Sequence, residues 1–245
     1  MTAAQCLDPE LELFAHHFPG FGVVPGALLL AGRPTTDPPP AVVSVRDVRF
    51  TDFVRPGEPF AYHAGPGDVT EVLAGAGRLC CRLRVDPAPG PDVLGAPGEP
   101  VRPEPGVPTA PVRPRQLWLL PERLDLDPAA RVARCRVDVA AVGRVSPYLR
   151  ELAGWQVLVL VEALGNLALA LQAAISAPTP MPPYVFAAFG GVAYRGEVLS
   201  QAPAVTVETR LQRAGALLVW EGRAYDADRV LIAVRRAVSR VWEGS

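Results

Sequence analysis

The chain has no lysine: all 24 of its basic residues are arginine. That absence reads as a compositional bias of the source, and no function attaches to it. Against 25 acidic residues the net charge is −1, which removes the electrostatic case for nucleic acid or an anionic membrane as a partner. Cysteine is scarce too. Cys6, Cys80, Cys81 and Cys135 fit neither a disulfide framework nor a zinc spacing, so no metal is expected, and the thiols are expected to be reduced in a cytoplasmic protein. Residues 1–14 carry acids and no basic n-region, so no signal peptide is expected. The most apolar stretch, Trp155 to Ile175, is broken by Gln156, Glu162, Asn166 and Gln172. Each of those would be costly in lipid, so no membrane span is expected. There is no P-loop and no dinucleotide fingerprint, which argues against a nucleotide cofactor.

What is present is ample core material, 49% hydrophobic residues in a chain of 245, enough for one large domain or two small ones. The stretch that organises the rest is His16-His17-Phe18-Pro19-Gly20-Phe21-Gly22-Val23-Val24-Pro25-Gly26, followed by Ala27-Leu28-Leu29-Leu30. Pro25 suits the first position of a helix, where its missing N–H would be unpaired anyway. The free amides of that first turn, Gly26 among them, favour negative charge in front of them. A histidine beside such donors can act as a general base next to an oxyanion site.

Gly32, Pro34 and Pro38-Pro39-Pro40 cut this first helix short. Val43, Val45 and Val48 then alternate with polar residues, and Phe60–Ala64, Val69–Ala74 and Gly77–Val85 continue as strands. From Asp86 to Arg115 prolines recur throughout, which predicts a semi-extended linker that joins neither sheet nor helix. Asp125 to Pro128 reads as a turn and Arg131 to Val139 as a strand. Trp155 to Ile175 is the strongest helix, apolar on nearly all sides and so expected to be buried all round. Strands follow at Tyr184–Tyr194, Ala204–Arg213, Ala216–Asp226 and Val230–Trp242. The expected units are residues 1–86 and 116–245, joined by the linker at 87–115.

The two halves share an order: a motif, a helix, a proline break, then three or four strands. They share a register as well. Fourteen positions separate His17 from Ala31, and fourteen separate Tyr148 from Glu162. The first copy keeps a histidine and has Ala31 where an acid would stand. The second keeps the acid, Glu162, and has Tyr148 in place of the histidine.

His17-Phe18-Pro19-Gly20 with Val23-Val24-Pro25-Gly26 resembles the active-site motif of the hotdog-fold 3-hydroxyacyl-ACP dehydratases of fatty-acid and polyketide synthesis. Val45 to Glu58 is similar to the family's Val-Arg-Phe strand and Pro-Gly turn. Val161-Glu162-Ala163-Leu164-Gly165-Asn166 is similar to the acid-bearing stretch of its central helix, where the family usually has Gln at the position of Asn166. Leu124 to Val139 resembles its N-terminal hairpin. The resemblance implies an α+β double hotdog, with two antiparallel sheets each wrapped around a central helix, the first helix shortened. It further implies one working site that takes His17 from the first half and Glu162 from the second, with Tyr148 and Ala31 at the position of a dead one. The spacing in the modular polyketide dehydratases would select His16 as the base; the Phe-Pro-Gly context selects His17.

On that resemblance His17 takes a proton from C2 of a 3-hydroxyacyl thioester and Glu162 delivers one to the leaving hydroxyl. Gly26, with Gly20, holds the thioester oxygen, and Asn166 contacts substrate. No cofactor is implied beyond the phosphopantetheine that carries the substrate. The implied partners are an acyl carrier protein and a ketosynthase or ketoreductase of the same pathway, with the chain a monomeric pseudo-dimer or a homodimer of it. Arg46, Arg49 and Arg55 are candidates to receive the carrier, although solvated strand charges are the plainer reading. His63 reads as a strand-surface residue. The alternative function is a non-catalytic hotdog subunit that binds an acyl chain or supports a partner enzyme. The Gly-Asp-x-Asn-Pro…His segment of enoyl hydratases is not present.

Overall fold

Alternation of apolar and polar residues builds most of this molecule, because side chains on a strand point to opposite faces in turn. The computed structural model describes residues 4–11, 13–14, 17, 21–31, 40–87, 89–96, 124–145, 149–150, 152, 154–176, 182–196, 205–226 and 229–242. In order these form α1 (Gly26–Ala31), β1 (Val42–Phe50), β2 (Phe60–Ala64), β3 (Val69–Ala74), β4 (Arg78–Val85), a 3-10 turn (Pro91–Leu94), β5 (Asp125–Asp127) and β6 (Val132–Val137). There follow α2 (Val139–Val145), α3 (Trp155–Ile175), β7 (Tyr184–Arg195), β8 (Val205–Arg213), β9 (Leu217–Asp226) and β10 (Arg229–Val241). His16, Gly20, Tyr148, residues 97–115 and Leu117 to Leu120 lie outside the described residues.

All ten strands join one antiparallel sheet, in the order β2-β3-β4-β1-β7-β10-β9-β8-β6-β5. The two expected sheets are therefore continuous, sealed where β1 pairs β7 with Val45 opposite Val192. Reading outward from that seam, β1-β4-β3-β2 and β7-β10-β9-β8 follow the same order. Gln5 makes a bridge to Phe60 on β2, on the flank where β6 pairs with β8 in the second half.

The sheet curls around α3. Val157 to Val161 and Ala163 to Ala168 are all buried, and α1 packs against this helix. By length and composition α3 could cross a membrane, but most of it is enclosed within the fold. Its polar residues have work inside the protein. Gln172 donates to Ser176 Oγ and accepts from the Gly215 amide, 3.2 Å away, pinning the β8–β9 turn. Thr209 on β8 donates to the Leu164 carbonyl at 2.9 Å. Gly222 on β9 allows this closeness, since a Cβ there would lie 2.8 Å from Leu164.

Three expectations are corrected. Asp125 to Asp127 is a strand, and the turn follows it: Asp127 Oδ1 accepts from the Ala130 amide at 2.8 Å, and Arg131 has φ 56°. The strand from Val132 stops at Val137, and Val139–Val145 is a helix, with the Asp138 carbonyl accepting from Val142. The proline-rich stretch does join the fold at its start. Pro91–Leu94 makes a 3-10 turn whose Leu94 is buried against Val42, Ala193, Tyr225, Val230 and Ala233. Arg235 donates to the Val93 carbonyl and Arg223 to that of Ala96. A missing N–H does not stop a proline segment from being held by its carbonyls.

Candidate active site

The site is assembled where α1 begins. The Pro25 carbonyl accepts from Leu28 at 3.0 Å and Leu29 at 3.4 Å, so Pro25 is the cap and Gly26 the first helical residue, one position later than the sequence suggests. Among the described residues the Gly26 and Ala27 amides have no acceptor. The Phe50 ring lies on Gly26, where a Cβ would come within 2.9 Å of it; only glycine allows that approach. Phe50 reaches it because β1 carries a bulge. The register shifts between Arg46 and Arg49, and Asp47 has φ 52°, which keeps Val45, Val48 and Phe50 on the inner face.

His17 sits ahead of this helix start. Its amide donates to the Leu13 carbonyl at 2.8 Å, and its Nδ1 lies 3.2 Å from the Val23 carbonyl. A carbonyl only accepts, so Nδ1 carries the hydrogen and the lone pair is on Nε2. Val23 is itself positioned by its neighbour: the Val24 amide donates to Val54 at 2.8 Å. The turn bearing Val54 is fastened by a two-pronged Arg78–Glu58 pair at 2.7 Å and by Arg78 donating to the Phe53 carbonyl. After His17, Phe21 stacks on Trp242 just beyond the end of β10, with ring centroids 4.4 Å apart, and meets Phe53 edge-on at 5.6 Å. Both halves of the chain thus hold the histidine loop.

Glu162 comes from α3 in the second half. Its Oε1 lies 3.9 Å from His17 Nε2, too far for a hydrogen bond, and has no hydrogen-bond partner. The side chains are 15% and 13% exposed, but Glu162 Oε1 itself is shut off from solvent within an otherwise apolar interior. Burial pushes the Glu162 carboxyl up to about 8. Burial also pulls His17 down to about 4, partly offset by its bond to Val23. Near neutral pH the pair is a neutral imidazole facing a protonated carboxyl, a base and an acid on opposite sides of one gap.

Asn166, one turn beyond Glu162 on the same helix face, is 9% exposed. The arginines are elsewhere, on the outer face or loops of the first half. Arg46 is taken up by Asp47, Asp68 and Asp86, which leaves it little charge to offer a partner. Arg49 and Arg55 are exposed, and neither forms an ion pair among the described residues. His63 is a partly exposed residue of β2. Two participants escape the sequence: the Val23 carbonyl, a backbone atom in an apolar run, and Trp242, remote along the chain. No group of three or more potential metal ligands occurs among the described residues.

No family model and no curated protein matches this sequence. Solved structures do match the whole shape. The dehydratase domain of PpsC from Mycobacterium tuberculosis, in complex with C12:1-CoA, is 19% identical with a TM-score of 0.62, over 98% of this chain and 92% of that one. The fold is a double hotdog. An isomerase-inactive variant of GphF DH1 reaches a TM-score of 0.68 at 15% identity, over 99% and 92% of the two chains. The dehydratase domain of RzxB from Pseudomonas fluorescens gives 0.60 at 13% identity, over 97% and 93%.

Proposed function

We propose that this chain removes water from a 3-hydroxyacyl thioester to give the 2-enoyl thioester, in polyketide or fatty-acid biosynthesis, using one site composed from both halves. The observation that carries the reading is the approach of His17 Nε2 to within 3.9 Å of Glu162 Oε1, one from each half of the chain. The likeness of fold to polyketide dehydratase domains supports it.

In this reading Nε2 of His17 takes the proton from C2, and the electron pair moves toward the thioester carbonyl. The Gly26 amide, which no described residue uses, donates to that oxygen as charge develops. Glu162 gives its proton to the C3 hydroxyl, the C3–O bond breaks, and water leaves. His17 is then a cation beside a carboxylate, and passing the proton between them restores the starting pair. Each step uses the form that burial already favours.

The substrate is carried on phosphopantetheine by an acyl carrier protein, with Arg49 and Arg55 available to its acids and Arg46 already neutralised. Incubating the pure protein with a 3-hydroxyacyl pantetheine thioester tests the reading. Loss of one water in the wild type, and not in His17→Ala, supports it. An inert wild type, or full turnover in His17→Ala, would instead favour a non-catalytic subunit.

A further inference from the structure

Helix α3 is buried nearly all round between Val157 and Gln172, and the exceptions form a pattern. Glu162 and Leu169 keep partial exposure, with Asn166 9% exposed between them. Steps of four and three residues place them on one helix face, and exposed Ala173 continues that line. A single strip therefore leads from the acid toward the C-terminal end of the helix, about 16 Å along the axis at 1.5 Å per residue. Gly165 borders it, with the Phe186 ring lying where a Cβ would stand, at 2.8 Å.

Asn166 is the odd member of this strip. Its carboxamide has two donor hydrogens and an acceptor oxygen, yet it makes no hydrogen bond with any described residue. Glu162 Oε1 has no partner, so Asn166 does not hold the acid in place. A plain alkyl tail laid along this line would remove the amide's remaining water and leave it bare, which is unfavourable. An oxygen on the tail would satisfy it.

We infer that Asn166 reads an oxygen substituent on the acyl chain, so the preferred substrate is a 3-hydroxyacyl thioester with a second hydroxyl or keto group further from the thioester. This rests on the dehydratase reading. One helical turn from Glu162 to Asn166 is a rise of about 6 Å, which sets the second oxygen a few bonds beyond C3, at C5 or C7. Leu169 and Ala173 receive the apolar remainder of the tail.

The test compares pantetheine thioesters of equal length: 3-hydroxyoctanoyl, 3,5-dihydroxyoctanoyl and 3,7-dihydroxyoctanoyl. The wild type should favour one dihydroxy substrate by at least about tenfold in kcat/KM, since a site that hydrogen-bonds a hydroxyl discriminates against its absence. Asn166→Leu should bring that ratio to about one, and Asn166→Ala should do the same without adding bulk to the core. A wild type that favours the plain chain, or a preference unchanged in both variants, overturns the inference. If no thioester is dehydrated, the dehydratase reading fails by itself, and calorimetric binding of the same three compounds then decides. Tighter binding of a dihydroxy compound that is lost in Asn166→Leu supports the role of Asn166; equal binding of all three contradicts it.

Discussion

Ala31 closes the space in front of Gly154: a Cβ on Gly154 would lie 2.6 Å from the Ala31 Cβ and 2.8 Å from its carbonyl oxygen. In the register of the repeat Ala31 stands opposite Glu162, and Gly154 opposite Val23, whose carbonyl holds His17. The contact that corresponds in this register to Val23 facing Glu162 is thus closed by backbone. Gly154 has φ 71° and precedes α3 directly, so α1 and the long helix are locked together there. Gly154→Ala should therefore be costly twice over, through strain at positive φ and through overpacking. A loss of about 2–3 kcal/mol is expected, read as a fall in Tm of roughly 5–10 °C for a chain of this size.

The acid and base should also be separable in kinetics. His17→Ala and Glu162→Gln are each expected to lower kcat/KM on the order of 10²–10⁴-fold. The double variant should be little worse than either single one, because groups that act as a unit are not additive. Steady-state assays on the three proteins check this.

Activity should follow a bell in pH. Below about 4 His17 protonates and can no longer accept a proton; above about 8 Glu162 ionises and can no longer donate one. The profile of kcat/KM for the free enzyme is expected to hold between those limbs. A rate that instead climbs steadily through and beyond the upper limb would mean the acid is not Glu162.

The same burial carries a stability cost. Glu162 keeps its proton in the folded state up to about pH 8, whereas an unfolded glutamate loses it near about 4.3. Between those values the native state binds more protons, so this group lowers stability as pH rises through the window. Glu162→Gln removes that cost and should raise Tm near neutral pH by a few degrees while activity falls. The gain should vanish once the pH falls below the unfolded value, where both states of the wild-type residue are protonated. Thermal unfolding at the two pH values measures it.

Much of the fold was legible because its signals are local. Phe60–Ala64, Val69–Ala74 and Trp155–Ile175 begin and end where alternation, turns and proline indicate. Val139–Val145 was not legible, since Val-Ala-Ala-Val-Gly-Arg-Val suits a strand as well as a helix and only packing decides. The seat of Val93 and Leu94 on the outer face of the sheet depends on Arg223 and Arg235, which lie far along the chain in the other half. His17 and Glu162 could be named from motif and register. The 3.9 Å between them, the grip of Val23 and the bare amide of Asn166 depend on burial, which a sequence does not display.

The central claim is that one acid and one base, from opposite halves, serve a single dehydration site. It is tested most directly by following loss of water from a 3-hydroxyacyl thioester, by mass spectrometry, in wild type, His17→Ala and Glu162→Gln under identical conditions. The account predicts the enoyl product from the wild type and almost none from either variant. Comparable product from all three would contradict it.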